Sequence, residues 1–205
     1  MTQYAACKIT YRSFGTYVFW VISFFVVSIG LRLTHELLHV FYAVLTGGSA
    51  GSIEILQWIL FYPVFAVEIY DGNPFLTLEG TLITTWLISL LIVIMTSYPF
   101  LRLFSDDCKA ANLSGLLFGV RLGAIFEMFG QAIYAMPNFV FYLGDNTILG
   151  GDGTAMARLF ELWGYPPDFQ YIIAFFMLIG AFFTLYWSLK CDPEICSCAW
   201  GGAYP

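Results

Sequence analysis

His35-Glu36-Leu37-Leu38-His39 sits in the second half of an apolar run that occupies residues 14–45. On a helix, residues four apart share a face, so both imidazoles can close on one metal ion while Glu36 stands beside them. The residue types suit that chemistry. Two neutral imidazoles leave a divalent ion a strong Lewis acid, and a neighbouring carboxylate can take a proton from a water on that ion. His35 and His39 are also the only two histidines in the chain. A pair of helix histidines can equally satisfy local hydrogen bonds. The setting favours a metal: the run is long enough to cross a bilayer, where ionisable side chains are costly and usually functional.

The remaining residues extend the same pattern. Of the 205 residues 60% are apolar and only 11% charged, with a mean hydropathy of +0.78. That composition excludes a soluble globular domain and implies an all-α polytopic membrane protein with the lipid bilayer as its solvent. No stretch between the apolar runs is long enough for a separate soluble fold, so residues 1–205 are expected to form a single membrane domain. The net charge of −6 is spread thinly, with no basic run to recruit nucleic acid or anionic lipid. The first apolar run continues into the histidine segment without a small-residue cleavage site, so it is expected to stay in the mature protein. Cys7, Cys108, Cys191, Cys196 and Cys198 form no obvious disulfide framework. The last three could bind a metal, carry a lipid or remain ordinary thiols.

Four membrane spans are expected, at about residues 15–46, 75–100, 113–136 and 168–189. Gly47-Gly48 is a natural stop for the first. Residues 52–71 are rich in β-branched and aromatic residues, broken by Pro63 and bounded by glycines, which predicts a short β-hairpin or re-entrant segment with strands at 53–61 and 64–70. Such a segment either offers an extended edge to a substrate or shields the membrane face. Glu79-Gly80-Thr81-Leu82 opens the second span with residues that let helices approach closely.

The third span carries Arg121, Glu127 and Gln131. Their spacing predicts an internal polar seam, serving either as glue between helices or, with Asn112, as the lining of a water path. Arg32, one turn before Glu36, either pairs with it along the helix, snorkels toward water, or stabilises negative charge at the reaction centre. Residues 137–151 read as a loop. Asp152, among glycines and followed by a helical pattern over 150–162, reads locally as a helix N-cap. Lys8, Arg12, Arg102, Lys109 and Lys190 all fall on one side of the four-span arrangement, which places both termini in the cytoplasm.

The His-Glu-x-x-His motif on a membrane-spanning helix, followed at a distance by Asp152-Gly153, resembles the site-2 protease family of intramembrane zinc metalloproteases. The resemblance covers roughly residues 18–160, and Gly80-Thr81-Leu82-Ile83-Thr84-Thr85 is a loose counterpart of the glycine-rich segment that opens the family's next core helix. It implies a zinc ion held by His35, His39 and Asp152, with Glu36 as general base. The implied substrates are transmembrane segments of other membrane proteins, bound along the hairpin. Leu38 stands where the family often carries glycine, and Gly151 precedes Asp152 where it carries leucine. Glu127 and Asp71 are the next candidates for the third ligand. No PDZ-like or CBS-like regulatory domain is expected. Two other readings stand beside this one: a non-catalytic subunit of a larger membrane assembly that keeps the fold, and a small transporter built on the polar seam, for which no duplicated half is visible.

Overall fold

The computed structural model describes residues 14–59, 62–97, 111–137, 140–142 and 148–191. Its elements in chain order are α1 (Phe14–Leu45), β1 (Ser49–Ile59), β2 (Tyr62–Tyr70), a π-helical turn (Leu76–Gly80) running into α2 (Thr81–Met95), α3 (Ala111–Tyr134), β3 (Val140–Tyr142), β4 (Ile148–Gly150), α4 (Asp152–Leu162) and α5 (Phe169–Cys191). Four helical stretches, Val18–Leu45, Leu76–Met95, Leu116–Tyr134 and Phe169–Leu189, have the length and composition to cross a membrane. The chain is therefore a multi-pass integral membrane protein of all-α class, with a β-hairpin directly after its first helix. Lys8, Arg12, Arg102 and Lys109, on which the orientation of the termini depends, lie outside the described residues. So do Cys7, Cys108, Cys196 and Cys198.

The first helix ends where its glycines require. Gly47 adopts φ 85°, a conformation that costs an L side chain. Its N–H donates to the Val44 carbonyl at 3.1 Å, and the Gly48 N–H donates to the Ala43 carbonyl at 2.9 Å. This paired closure satisfies carbonyls that the last helical turn would otherwise leave open. β1 then pairs antiparallel with β2, with Ser49 opposite Tyr70 and Ile59 opposite Tyr62. The hairpin starts three residues earlier than its composition predicts, because pairing begins as soon as the helix closes. Its far end is tied to the same place: the Asn73 N–H donates to Thr46 Oγ1 at 2.8 Å. A second, shorter hairpin, β3 with β4, forms inside the stretch that reads as a loop.

Lipid tails are as apolar as leucine, so helices in a bilayer gain little from burying apolar surface against one another and associate through close packing. Small residues supply it here. A Cβ on Gly119 of α3 would lie 2.3 Å from the Trp20 carbonyl oxygen of α1, and one on Gly123 would lie 2.7 Å from that of Phe24. Leu82, Ala132, Ala135, Ala174 and Met177 pack α2, α3 and α5 together near one end. Leu31, Val93, Ala124, Ile125, Met128 and Ala181 do the same nearer the other. Contacts between α1 and α3 advance in the same direction along both, from Gly119 on Trp20 to Tyr134 on His35, so these helices run parallel.

The polar residues of the third span face inward, as their spacing predicts. Arg121, Glu127 and Gln131 are all 1% exposed or less. Arg121 donates to the Thr96 carbonyl, at the C-terminal end of α2, where a cation meets the negative pole of the helix. Glu127 reaches across to α1, with its Oε2 4.0 Å from Arg32 Nε. The Arg32 guanidinium also lies over the Tyr134 ring, 5.1 Å from its centroid.

Candidate metal centre

The fourfold spacing of the histidines places their rings at right angles on one face of α1, with centroids 4.7 Å apart. His35 Nε2 and His39 Nε2 approach to 3.2 Å. Asp152, the first residue of α4, completes the group: its Oδ2 lies 3.0 Å from His35 Nε2 and 3.1 Å from His39 Nε2. The helix cap is Gly151, in extended conformation, and no side-chain capping bond is made. Asp152 is thus not the N-cap that local sequence suggests, since its carboxylate is directed at the imidazoles.

Two glycines let that carboxylate arrive. The backbone at 151–153 runs against the end of α3, where a Cβ on Gly151 would lie 3.0 Å from the Tyr134 carbonyl oxygen and one on Gly153 only 2.1 Å from that of Ala135. Backbone cannot step aside as a side chain can. Gly153→Ala is expected to destabilise the protein by about 1–3 kcal/mol, as other overpacking substitutions do, and to pull Asp152 away from the histidines. Thermal unfolding together with bound-metal content checks this, and a variant as stable as the parent would contradict it.

The π-helical turn supports the second histidine. At its end the Thr81 N–H donates to the Leu78 carbonyl, three residues back, and not to the Thr77 carbonyl that an α-helix would engage. The Thr77 carbonyl instead accepts from His39 Nδ1 at 2.7 Å. Single π turns recur at functional sites, and this one aims a backbone acceptor at a ring nitrogen. Glu79, on the same turn and fully buried, accepts from Gln170 Nε2 of α5 at 3.0 Å, and Gln170 Nε2 also donates to the Ala135 carbonyl at 3.1 Å. One amide thereby ties together the turn behind His39, the end of α3 against which Gly153 packs, and the start of α5. The Tyr134 ring lies edge-on to His35, with centroids 5.8 Å apart.

Tetrahedral zinc with bonds of about 2.0–2.1 Å sets its ligand atoms roughly 3.3 Å apart. The triangle of His35 Nε2, His39 Nε2 and Asp152 Oδ2 has sides of 3.0, 3.1 and 3.2 Å. Two imidazole nitrogens and one carboxylate oxygen form a three-ligand donor set that leaves a fourth position for water or substrate. These residues fit a divalent metal.

No protein-family model matches this chain, and the comparisons with curated proteins and with solved structures find no match.

Glu36 is buried, at 7% exposure, on the turn of α1 between the two histidines. Asp71, weighed as an alternative third ligand, is exposed in the turn after β2 with a left-handed backbone, φ 63°. Glu127, the other alternative, is engaged with Arg32. Among the described residues the group that gathers around the histidines is completed by Asp152. Thr77, Thr85, Glu79 and Gln170 were not singled out as functional from sequence. The available signal for Thr85 was the stripe Thr81, Thr85, Ser89 at fourfold spacing on a largely apolar helix, all three fully buried.

Proposed function

We propose that the chain, acting as one membrane domain, is an intramembrane zinc metalloprotease of the site-2 protease type, hydrolysing peptide bonds in or near the transmembrane segments of other membrane proteins. The observation that carries this reading is the triangle of ligand atoms from His35, His39 and Asp152, two of them on a helix long and apolar enough to span a membrane. His35 lies about 15 Å along the α1 axis from Leu45, at 1.5 Å per residue, which supports a site within the bilayer thickness.

His35, His39 and Asp152 would hold the zinc ion, which when bound supplies a Lewis acid to polarise a carbonyl and to acidify water. Glu36, adjacent in sequence to one ligand and three residues before the other, takes the proton of the attacking water and returns it to the leaving amine. The Thr77 carbonyl orients His39 throughout. Hydrolysis of a membrane helix also requires unwinding it, because a helical amide is shielded by its own hydrogen bonds. The β1–β2 hairpin supports that step: it is pinned at the end of α1, and a two-stranded sheet keeps unpaired edges on which an extended segment can be held.

The second reading, a non-catalytic subunit of a larger membrane assembly that keeps the fold with or without the metal, is favoured by Leu38 and Gly151 at positions where the resembled family carries other residues. The two readings part at cleavage. The full chain reconstituted with a single-span reporter protein is expected to cut it, to stop on addition of a zinc chelator and to resume when zinc is restored. A zinc-loaded protein that leaves a panel of such reporters whole would favour the subunit.

A further inference from the structure

We infer that Thr85 of α2 is a positioning residue that fixes the tautomer of His35. It would keep a proton on Nδ1 and leave the Nε2 lone pair for the ion, so the inference rests on the metal reading above. A neutral imidazole offers one donor and one acceptor nitrogen, and the partner of one decides the role of the other. His35 Nδ1 lies 3.4 Å from Thr85 Oγ1. The threonine hydroxyl has a single proton, and that proton goes to the Thr81 carbonyl at 2.9 Å. What Oγ1 then presents to His35 is a lone pair, so the ring must supply the hydrogen. Both residues are fully buried, leaving no bulk water to take either role. The Thr77 carbonyl imposes the same tautomer on His39 from the other side, because a carbonyl can only accept. Both Nε2 atoms are then bare acceptors facing the acceptor Oδ2 of Asp152. Three lone pairs at 3.0–3.2 Å repel one another unless a cation stands among them.

The chain has only His35 and His39 as histidines, so a histidine-labelled sample gives four ring-nitrogen signals. In zinc-loaded wild-type protein, nitrogen-15 spectra are expected to show both rings protonated at Nδ1 and zinc-shifted at Nε2. Thr85→Val keeps the side-chain shape and removes the oxygen. It is expected to weaken zinc about 10–100-fold in competition with a chelator, the usual cost of losing such a partner, and to shift the His35 Nδ1 signal alone. Thr85→Ser restores the oxygen and is expected to restore both. Thr85→Ala serves if the valine variant does not fold, and the wild-type spectrum decides the tautomer without any variant. His35 protonated at Nε2, or a Thr85→Val protein that binds zinc like wild type, overturns the inference while the metal reading stands. Wild-type protein that takes up no zinc overturns the metal reading itself and removes the role proposed for Thr85.

Discussion

Purified protein is expected to carry about one zinc ion per chain, and His39→Ala and Asp152→Ala are each expected to lose it. The magnitude follows from the ligand count. Structural zinc sites with four protein ligands bind with about 10–16 kcal/mol, or roughly 2.5–4 kcal/mol for each ligand. Removing one of three ligands should therefore weaken binding by two to three orders of magnitude. Asp152 is the more telling position. It is joined to the histidines only by the fold, 117 residues away from His35, so its loss tests whether the tertiary arrangement and not the helix motif alone makes the site. Elemental analysis after dialysis, with each variant's helical content measured in parallel, decides it. Metal retained by the folded Asp152→Ala protein would move the third ligand elsewhere and remove the observation on which the proposed function depends.

The second large effect belongs to Glu36. Glu36→Gln conserves shape and removes the ability to accept a proton, so it is expected to lower reporter cleavage by about 10²–10⁴-fold, the usual contribution of a positioned general base. Zinc content should not change, because Glu36 is not among the atoms that form the triangle. This separation of chemistry from binding is the diagnostic feature. Reduced cleavage with lost zinc would point to a structural role for Glu36, and cleavage at the parental rate would assign the base to another group. Arg32, one turn earlier, reaches Glu127 across the α1–α3 interface. That engagement bears on how freely Glu36 can act as a base.

Much of this architecture was legible because a bilayer enforces simple rules. A span must be long, apolar and helical, so four spans could be expected from the sequence, although the second helix stops at Met95 and not near residue 100. The β1–β2 hairpin was legible from its β-branched and aromatic content and its bounding glycines. The β3–β4 hairpin was not, since strands of three residues carry too little pattern to stand out from a loop. The π-helical turn before α2 was also invisible. Nothing in Leu76-Thr77-Leu78-Glu79-Gly80 distinguishes an i→i+5 turn from the α-helix that continues it, and the contact of His39 with the Thr77 carbonyl exists only in the folded chain.

For the site the division falls between local and distant partners. His35, Glu36 and His39 declare themselves in five consecutive residues, because helical periodicity alone puts two imidazoles on one face. The composition around them adds that this face lies within a bilayer. Whether Asp152 would cap its own helix or meet the histidines could not be read locally, since both roles suit an aspartate between glycines. Only the packed chain chose between them, through the close approach of the Gly151–Gly153 backbone to the end of α3, which delivers the carboxylate to within 3.0 Å of His35. The partners of the second nitrogen on each ring, the Thr77 carbonyl and Thr85 Oγ1, likewise exist only once α1 and α2 lie side by side. Spacing along a helix is a property of covalent geometry, whereas a hydrogen bond between helices depends on how the surfaces around it fit.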